Sequence, residues 1–249
     1  MNEKKGLVDF HCHLDLYQNF IDEIRNADRA ETFTLAVTTT PRAWPRNNEL
    51  AQQTKYVRAA LGFHPHLVAE HEQELEIWDK YLDLTRYVGE VGLDASPRYY
   101  KSIEAQKRIF KYILNRCAES GDKIISVHST RATKQVLDHI EQYLPPGKGK
   151  VVLHWFTGSK SEAKRAIDLG CYFSINNEML KKESSAQIIK SIPFDKLLTE
   201  TDGPFTKCGT RAMRPTDVIL AVEGLGKLLG IEADKIIRQV KINLKELLT

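Results

Sequence analysis

The sequence predicts a (β/α)8 barrel, read as one domain over residues 1–249. Three observations carry the prediction. Short β-branched, apolar runs alternate with amphipathic segments along nearly the whole chain. Eight such runs can be counted, with no internal repeat, low-complexity segment or charged tail. Polar residues of metal-ligating type close runs one, four, five, six and eight. An open doubly wound sheet would spread those ends apart, whereas a barrel brings them to one mouth.

The first strand is the run Gly6-Leu7-Val8, which leads into Asp9-Phe10-His11-Cys12-His13. Residues two apart on an extended chain share a side, so both imidazoles face one point and Cys12 turns away. A helix over 15–27 carries Leu16, Phe20, Ile21 and Ile24 at helical spacing. The second strand is 33–39. Thr40-Pro41 then starts a helix to about residue 54, with Thr as N-cap and Pro in the first turn. The third strand, 56–61, runs out through Gly62-Phe63-His64-Pro65-His66, and a helix over 72–84 follows. Tyr87-Val88-Gly89-Glu90-Val91-Gly92 is the fourth strand and its exit, where the glycines would allow close approach of a metal or ligand.

The clearest amphipathic helix is 102–120, with Ile109, Phe110, Ile113, Leu114 and Cys117 on one face and Gly121 as its stop. The fifth strand, 123–128, ends in His128. A helix over 131–143 gives way to a Pro-Pro-Gly loop, and the sixth strand, 150–154, ends in His154. Ser159 and Glu162 form a capping box for a helix that ends at Gly170. The seventh strand is 171–175, a short helix covers 186–191, and the eighth strand is 196–201, ahead of Asp202. Helices over 216–229 and 233–248 close the chain. Segments 93–101 and 203–215 read as loops on the face where substrate-contacting loops belong.

Composition narrows the function. The chain is 42% hydrophobic and 28% charged, the profile of an ordinary water-soluble domain. A net charge of +3 leaves nucleic-acid binding to a local patch rather than a global field. The four cysteines, Cys12, Cys117, Cys171 and Cys208, form no C-x-x-C pair and read as free thiols of a reducing compartment. Residues 1–5 are polar and lack the apolar core of a signal peptide, and no run reaches membrane-span length. The expected location is the cytoplasm, without a membrane partner.

His11, His13, Glu90, His128, His154 and Asp202 together form a two-metal set. Mixed imidazole and carboxylate donors suit Zn²⁺, Mn²⁺ or Fe²⁺ better than Ca²⁺. A carboxylate can bridge two ions about 3.5–4 Å apart, and such a pair lowers the pKa of a water and clamps a phosphoryl centre. Glu90 is the candidate bridge, because a carboxylate inside a glycine-flanked barrel strand is costly to bury without a partner. Taken singly, His128 and His154 are equally readable as core histidines, and Asp202 before Gly203-Pro204 as a turn residue. Their joint occurrence at strand ends favours the metal set. His64 is expected to touch the scissile phosphate or leaving group, since the six ligands already complete a binuclear site. Arg131, Arg211, Arg214, Lys181 and Lys182 are candidate phosphate contacts. Trp155, Phe63 and Phe205 are candidate base-stacking side chains.

Several motifs in order resemble a family over essentially the full chain: Asp9-Phe-His-Cys-His13, Gly62-Phe-His-Pro65, Gly89-Glu-Val-Gly-Leu-Asp94, His128, His154-Trp-Phe-Thr-Gly158, Thr199-Glu-Thr-Asp-Gly-Pro204 and the tail Asn243-Leu-Lys-Glu-Leu-Leu248. The sequence resembles the TatD-type metal-dependent hydrolases of the amidohydrolase superfamily. The resemblance implies a barrel fold, two divalent ions (Zn²⁺, Mn²⁺ or Mg²⁺) and deoxyribonuclease activity, often exonucleolytic on single strands or 3′ ends. It implies that His11, His13, Glu90 and Asp202 hold one ion, that Glu90, His128 and His154 hold the other, and that Asp202 takes a proton from the attacking water. Three features depart from the family pattern. Thr130 stands where the family carries Arg, with Arg131 one place on; Gly203 replaces the Ser before Pro204; and the loop after the fourth strand is short. These point to a divergent branch, such as the TatD-like component of a bacterial anti-phage defence system of the Qat kind, with defence-system partner proteins. A lactonase, amidase or deaminase on the same metal frame, and a non-catalytic nucleic-acid-binding barrel, remain alternatives.

Overall fold

The computed structural model describes residues 6–249; the polar stretch 1–5 lies outside the described residues. The chain packs as two compact units. The first comprises the residues up to Ala36, Arg46–Ala59 and Phe173–Thr249; the second comprises Val37–Pro45 and Ala60–Tyr172.

The first unit is built on strands β1 (Val8–Cys12) and β2 (Phe33–Val37). They pair in parallel with Val8 opposite Phe33 and Asp9 opposite Thr34, but Cys12 falls opposite Ala36. Three steps on β1 thus match two on β2, which is a β-bulge at Phe10-His11. The strand runs on to Cys12 rather than ending with the apolar run at Val8. All five of its residues, polar and apolar alike, are buried, which composition alone does not reveal. Helix α1 (Phe20–Arg29) lies between the two strands in sequence. The predicted helix over residues 40–54 is a 3₁₀ turn, Pro41–Ala43, followed by α2 (Trp44–Ala51). Strand β3 (Val57–Ala60) follows it.

Helix α3 (Val68–His71) precedes the predicted 72–84 helix, which is a 3₁₀ turn, Glu72–Glu74, followed by α4 (Leu75–Leu82). They lead into the second unit's parallel strands β4 (Tyr87–Gly92), β5 (Ile124–His128) and β6 (Lys150–His154). Strand β4 repeats the irregularity of β1: Val88 faces Ile125, yet Val91 faces Val127, which places a bulge at Gly89-Glu90. Bulges re-aim side chains and recur beside functional sites. Helix α5 (Ile103–Ser120) buries the predicted apolar face, and Gly121, at φ +81°, ends it with its N–H on the Cys117 carbonyl. Helix α6 (Thr133–Tyr143) and α7 (Lys160–Asp168) complete this unit, and α7 carries the predicted Ser159/Glu162 capping box.

The remaining elements are β7 (Tyr172–Ile175), α8 (Asn177–Leu180), α9 (Glu183–Ile189), β8 (Leu197–Thr199), β9 (Lys207–Cys208), β10 (Arg211–Ala212), α10 (Ile219–Leu229) and α11 (Ala233–Leu248). In the first unit β7 pairs in parallel with β8. The Thr199 hydroxyl donates to the Val8 carbonyl and sets β1 beside β8. The family-like tail is anchored through Asn243, whose buried amide donates to the carbonyls of Phe194 and Leu197. The stretch expected to be a plain loop over 203–215 holds the β9–β10 hairpin. No helix among the described residues is long and apolar enough to cross a membrane.

Candidate functional site

In the first unit, β1 and the exit of β8 are stitched together at the level of the predicted ligands. The Asp202 N–H donates to the His11 carbonyl at 2.9 Å and the His13 N–H to the Gly203 carbonyl at 2.8 Å. Below them the Asp9 carboxylate accepts from the Thr201 N–H at 2.7 Å and the Thr201 hydroxyl. Burial pushes the Asp9 carboxyl up to about 8, against the lowering effect of the Thr201 bonds. These ties bring three predicted ligands together. His11 Nε2 and His13 Nε2 lie 3.3 Å apart. Asp202 Oδ1 is 3.8 Å from the first and 3.6 Å from the second. Cys12 turns away as expected, its thiol donating to the Gly203 carbonyl.

The second unit gathers Glu90, His128 and His154. Glu90 Oε1 lies 2.6 Å from His128 Nδ1 and 3.8 Å from His154 Nε2, all within reach of one point. His64 Nε2 approaches the same carboxylate oxygen at 3.3 Å. The glycine flanking has a different cause from the one expected. A Cβ on Gly92 would sit 2.1 Å from the His128 carbonyl oxygen, so the glycine lets β4 pass close to β5 rather than admitting a ligand.

The donor sets fit divalent ions. Two ligands bound at about 2.0–2.2 Å to one ion stand roughly 3–3.5 Å apart. The 3.3, 3.6 and 3.8 Å separations of the first cluster lie close to that spacing. In the second, His154 and Glu90 lie close to the same range, while His128 and Glu90 stand at hydrogen-bond distance. Imidazoles and carboxylates that are all buried except the slightly exposed His128, without lysine or arginine among them, match N/O-ligated transition-metal or zinc chemistry.

Three strand-exit residues sit in the left-handed region: Asp202 at φ +53°, Trp155 at +38° and Arg131 at +53°. Each costs on the order of 1–3 kcal/mol and persists only where its surroundings enforce it, and such residues cluster at functional sites. Trp155 sets its ring edge-on to His154. Arg131 is exposed and lines a cleft of about 600 Å³ with Thr133, Gln135, Gly158 and Ser159.

The candidate substrate contacts lie in different surroundings. Phe63 is buried at 1% exposure and belongs to the core, so it stacks no base. Arg211 forms a two-pronged pair with Asp217, Arg214 pairs with Glu23 at 3.1 Å and Lys181 pairs with Glu178, so these cations already have carboxylate partners. Phe205, by contrast, is 61% exposed with its ring edge against His13 at 5.1 Å.

Three polar residues were missed, Asp94 and Glu200, which are buried, and His66, which is partly exposed. Asp94 Oδ2 accepts from His66 Nε2 at 2.7 Å and lies 3.0 Å from His128 Nε2, although its place beyond Gly92 suggests distance from the site. Glu200 accepts from Asn176 at 2.9 Å and from Ser174. The motif stretches Gly89–Asp94 and Thr199–Pro204 contained two of the signals; for His66, only its place after His64-Pro65 hinted at a role.

The electrostatics divide the histidines. Burial lowers His64 to about 4 despite the Glu90 carboxylate beside it. Burial also disfavours charge on His128, but bonds to Asp94 and Glu90 outweigh it and push His128 up to about 9. Burial alone would raise the Asp94 carboxyl; the bonds from His128, His66 and Ser96 hold it well below the usual carboxylate range.

Comparison with known proteins gives one consistent answer. The family model described as TatD related DNase matches residues 8–249. Deoxyribonuclease TATDN3 of Homo sapiens is 27% identical, over 93% of this chain and 90% of its own length. A TatD family hydrolase from Entamoeba histolytica superposes with a TM-score of 0.82 at 16% identity, covering 99% of both chains. YJJV, a TatD homologue from Escherichia coli, gives 0.80 at 24% identity over 97% of both. The α/β barrel class read from the sequence is the fold of these structures.

Proposed function

This chain belongs to the TatD-related DNase family of metal-dependent hydrolases, and from that premise we propose that it hydrolyses DNA phosphodiester bonds as a 3′–5′ exonuclease on single strands or 3′ ends. The whole chain acts as one catalytic domain. The observation that carries the reading is the pair of buried imidazole–carboxylate clusters, His11 with His13 and Asp202, and Glu90 with His128 and His154.

His11, His13 and Asp202 hold one ion in this reading, and Glu90, His128 and His154 a second. The sharing of Glu90 by both ions is what the family resemblance implies. When bound, such ions supply a water of lowered pKa and charge to offset that on the phosphoryl oxygens. Asp202 accepts the proton of the attacking water at its carboxylate. His64 is held as the neutral imidazole with its proton on Nε2, because Nδ1 accepts the His66 N–H at 3.1 Å. It therefore donates, toward a phosphoryl or leaving-group oxygen, and does not act as a base. Arg131 contacts a phosphate, and Trp155 and Phe205 offer rings to bases.

The test is a digestion time course with single-stranded DNA labelled at the 5′ or the 3′ end, using chelator-treated protein resupplied with Zn²⁺, Mn²⁺ or Mg²⁺, beside a lactone panel. Stepwise loss from the 3′ end only with metal is the expected result. Metal-independent cleavage, or turnover of lactones alone, contradicts the proposal. A role with partner proteins in an anti-phage defence system such as Qat rests on the departures at Thr130 and Gly203 and on the short loop after the fourth strand. A plaque assay of cells carrying the native chain or Glu90→Gln tests that finer placing.

A further inference from the structure

Asp94 is built into the second unit more firmly than a surface-loop carboxylate needs to be. It is 3% exposed. Its N–H donates to Gln106 Oε1 at 2.7 Å, and Gln106 Nε2 returns a bond to its carbonyl at 3.2 Å. Gln106 is itself fully buried on α5. The carboxylate's Oδ1 accepts from the Ser96 N–H at 2.8 Å. That leaves Oδ2 to face two imidazoles, His66 Nε2 at 2.7 Å and His128 Nε2 at 3.0 Å. The His66 ring is fixed in turn by stacking on Tyr99, with centroids 3.5 Å apart and planes 11° apart.

We infer that Asp94 is the positioning residue that sets which nitrogen of His128 is free to bind an ion. Resting on the metal-centre reading above, the inference follows from donor and acceptor roles. An ionised carboxylate only accepts, so the His128 nitrogen facing it must carry a proton. With Nε2–H committed to Asp94, Nδ1, the nitrogen that faces Glu90 at 2.6 Å, is the one a divalent ion would bind. A carboxylate behind a ligating histidine also steadies the ring and raises its basicity. His66 serves as the second donor that occupies Asp94 without touching Glu90. Sequence spacing gave no warning, because the turn after Gly92 brings residue 94 back beside the ring.

The test reads metal binding and the imidazole proton, not hydrolysis. Zinc affinity is measured by competition with a chromogenic chelator for the full-length protein and for Asp94→Asn, alongside thermal melts. The amide replaces an acceptor with a donor at one of its two positions, so it can meet His66 and His128 only if their Nε2 atoms turn from donors into acceptors. The native protein should bind two equivalents. Asp94→Asn should keep one at native affinity and bind the other about 10–100-fold more weakly, with the fold retained. Native affinity for both ions in Asp94→Asn overturns the inference, as does a third native equivalent that vanishes in that variant, which would make Asp94 a ligand. A native protein that binds no zinc overturns the metal-centre reading as well. Nitrogen NMR of the zinc-loaded, histidine-labelled native protein decides the matter even if Asp94→Asn does not fold. His128 must show a protonated Nε2 and a metal-bound Nδ1, and the reverse tautomer overturns the inference.

Discussion

His64 Nε2 points at Glu90 Oε1 from 3.3 Å. The His66 N–H occupies the opposite ring nitrogen, so His64 presents a proton to the carboxylate and lacks a free lone pair for an ion there. His64→Ala should therefore retain two metal equivalents and lose turnover by about 10²–10³-fold, the usual contribution of a hydrogen-bond donor aimed at developing charge. Metal analysis beside single-turnover rates checks this. Loss of a full equivalent would make His64 a ligand.

Arg131 is an exposed cation at the rim of the cleft between the exits of β5 and β6, and among the described residues it pairs with no carboxylate. Arg131→Ala should weaken binding of a single-stranded oligonucleotide to the chelator-treated protein and reduce the slope of log affinity against log salt by about 0.7, one phosphate's worth. Titrations at four salt concentrations measure both. An unchanged slope removes Arg131 from the strand's path.

Phe205 holds its exposed ring edge-on to His13. The segment bearing it is tied down by Tyr17, whose hydroxyl donates to the Met213 carbonyl, and by the Arg214–Glu23 pair. A rigid, exposed ring suits base stacking, which is worth about 1–3 kcal/mol per base. Phe205→Ala should raise KM for single-stranded DNA by 5- to 100-fold, while Phe205→Trp should restore it. Equal KM values for the three proteins would assign the ring to packing alone.

Stability of the metal-free protein should fall as pH rises from about 6.5 to 9. His128 titrates at about 9 when folded against 6.5 when unfolded, so its stabilisation is complete below 6.5 and lost as pH passes through the folded value. Asp9, raised from 3.8 to about 8, acts in the same direction over the lower part of that window. His64, lowered to about 4, has the opposite sign, and its effect is confined to pH 4–6.5. Urea denaturation of chelator-treated protein across this range provides the check, and a flat or rising profile contradicts the assignment.

The strand–helix alternation, the Ser159/Glu162 box and the His-x-His pair were legible because each is a local pattern with one physical reading. The bulges at Phe10-His11 and Gly89-Glu90 were not, since register is a property of two strands and neither sequence encodes it alone. The contact of Asp94 with His128 was not legible because distance along an exit loop says nothing of the direction in which the loop turns. Arg211 and Arg214 looked free only while Asp217 and Glu23, their carboxylate partners, were out of view. Phe63 looked like a stacking ring because its neighbour His64 belongs to the site, yet adjacent residues on an extended segment face opposite ways.

Metal content measured beside hydrolysis in Glu90→Gln tests the role of Glu90 most directly. The amide keeps the side chain's shape and removes the negative charge that two dications require. The purified variant should keep its circular dichroism, because a barrel's packed interior lies below its ligand layer. It should lose occupancy of both ions and fall by orders of magnitude in release of nucleotides from single-stranded DNA, whereas His128→Ala or His154→Ala should empty only one site. A folded Glu90→Gln protein with two full metal equivalents and near-native hydrolysis would contradict both the shared ligand and the mechanism that depends on it.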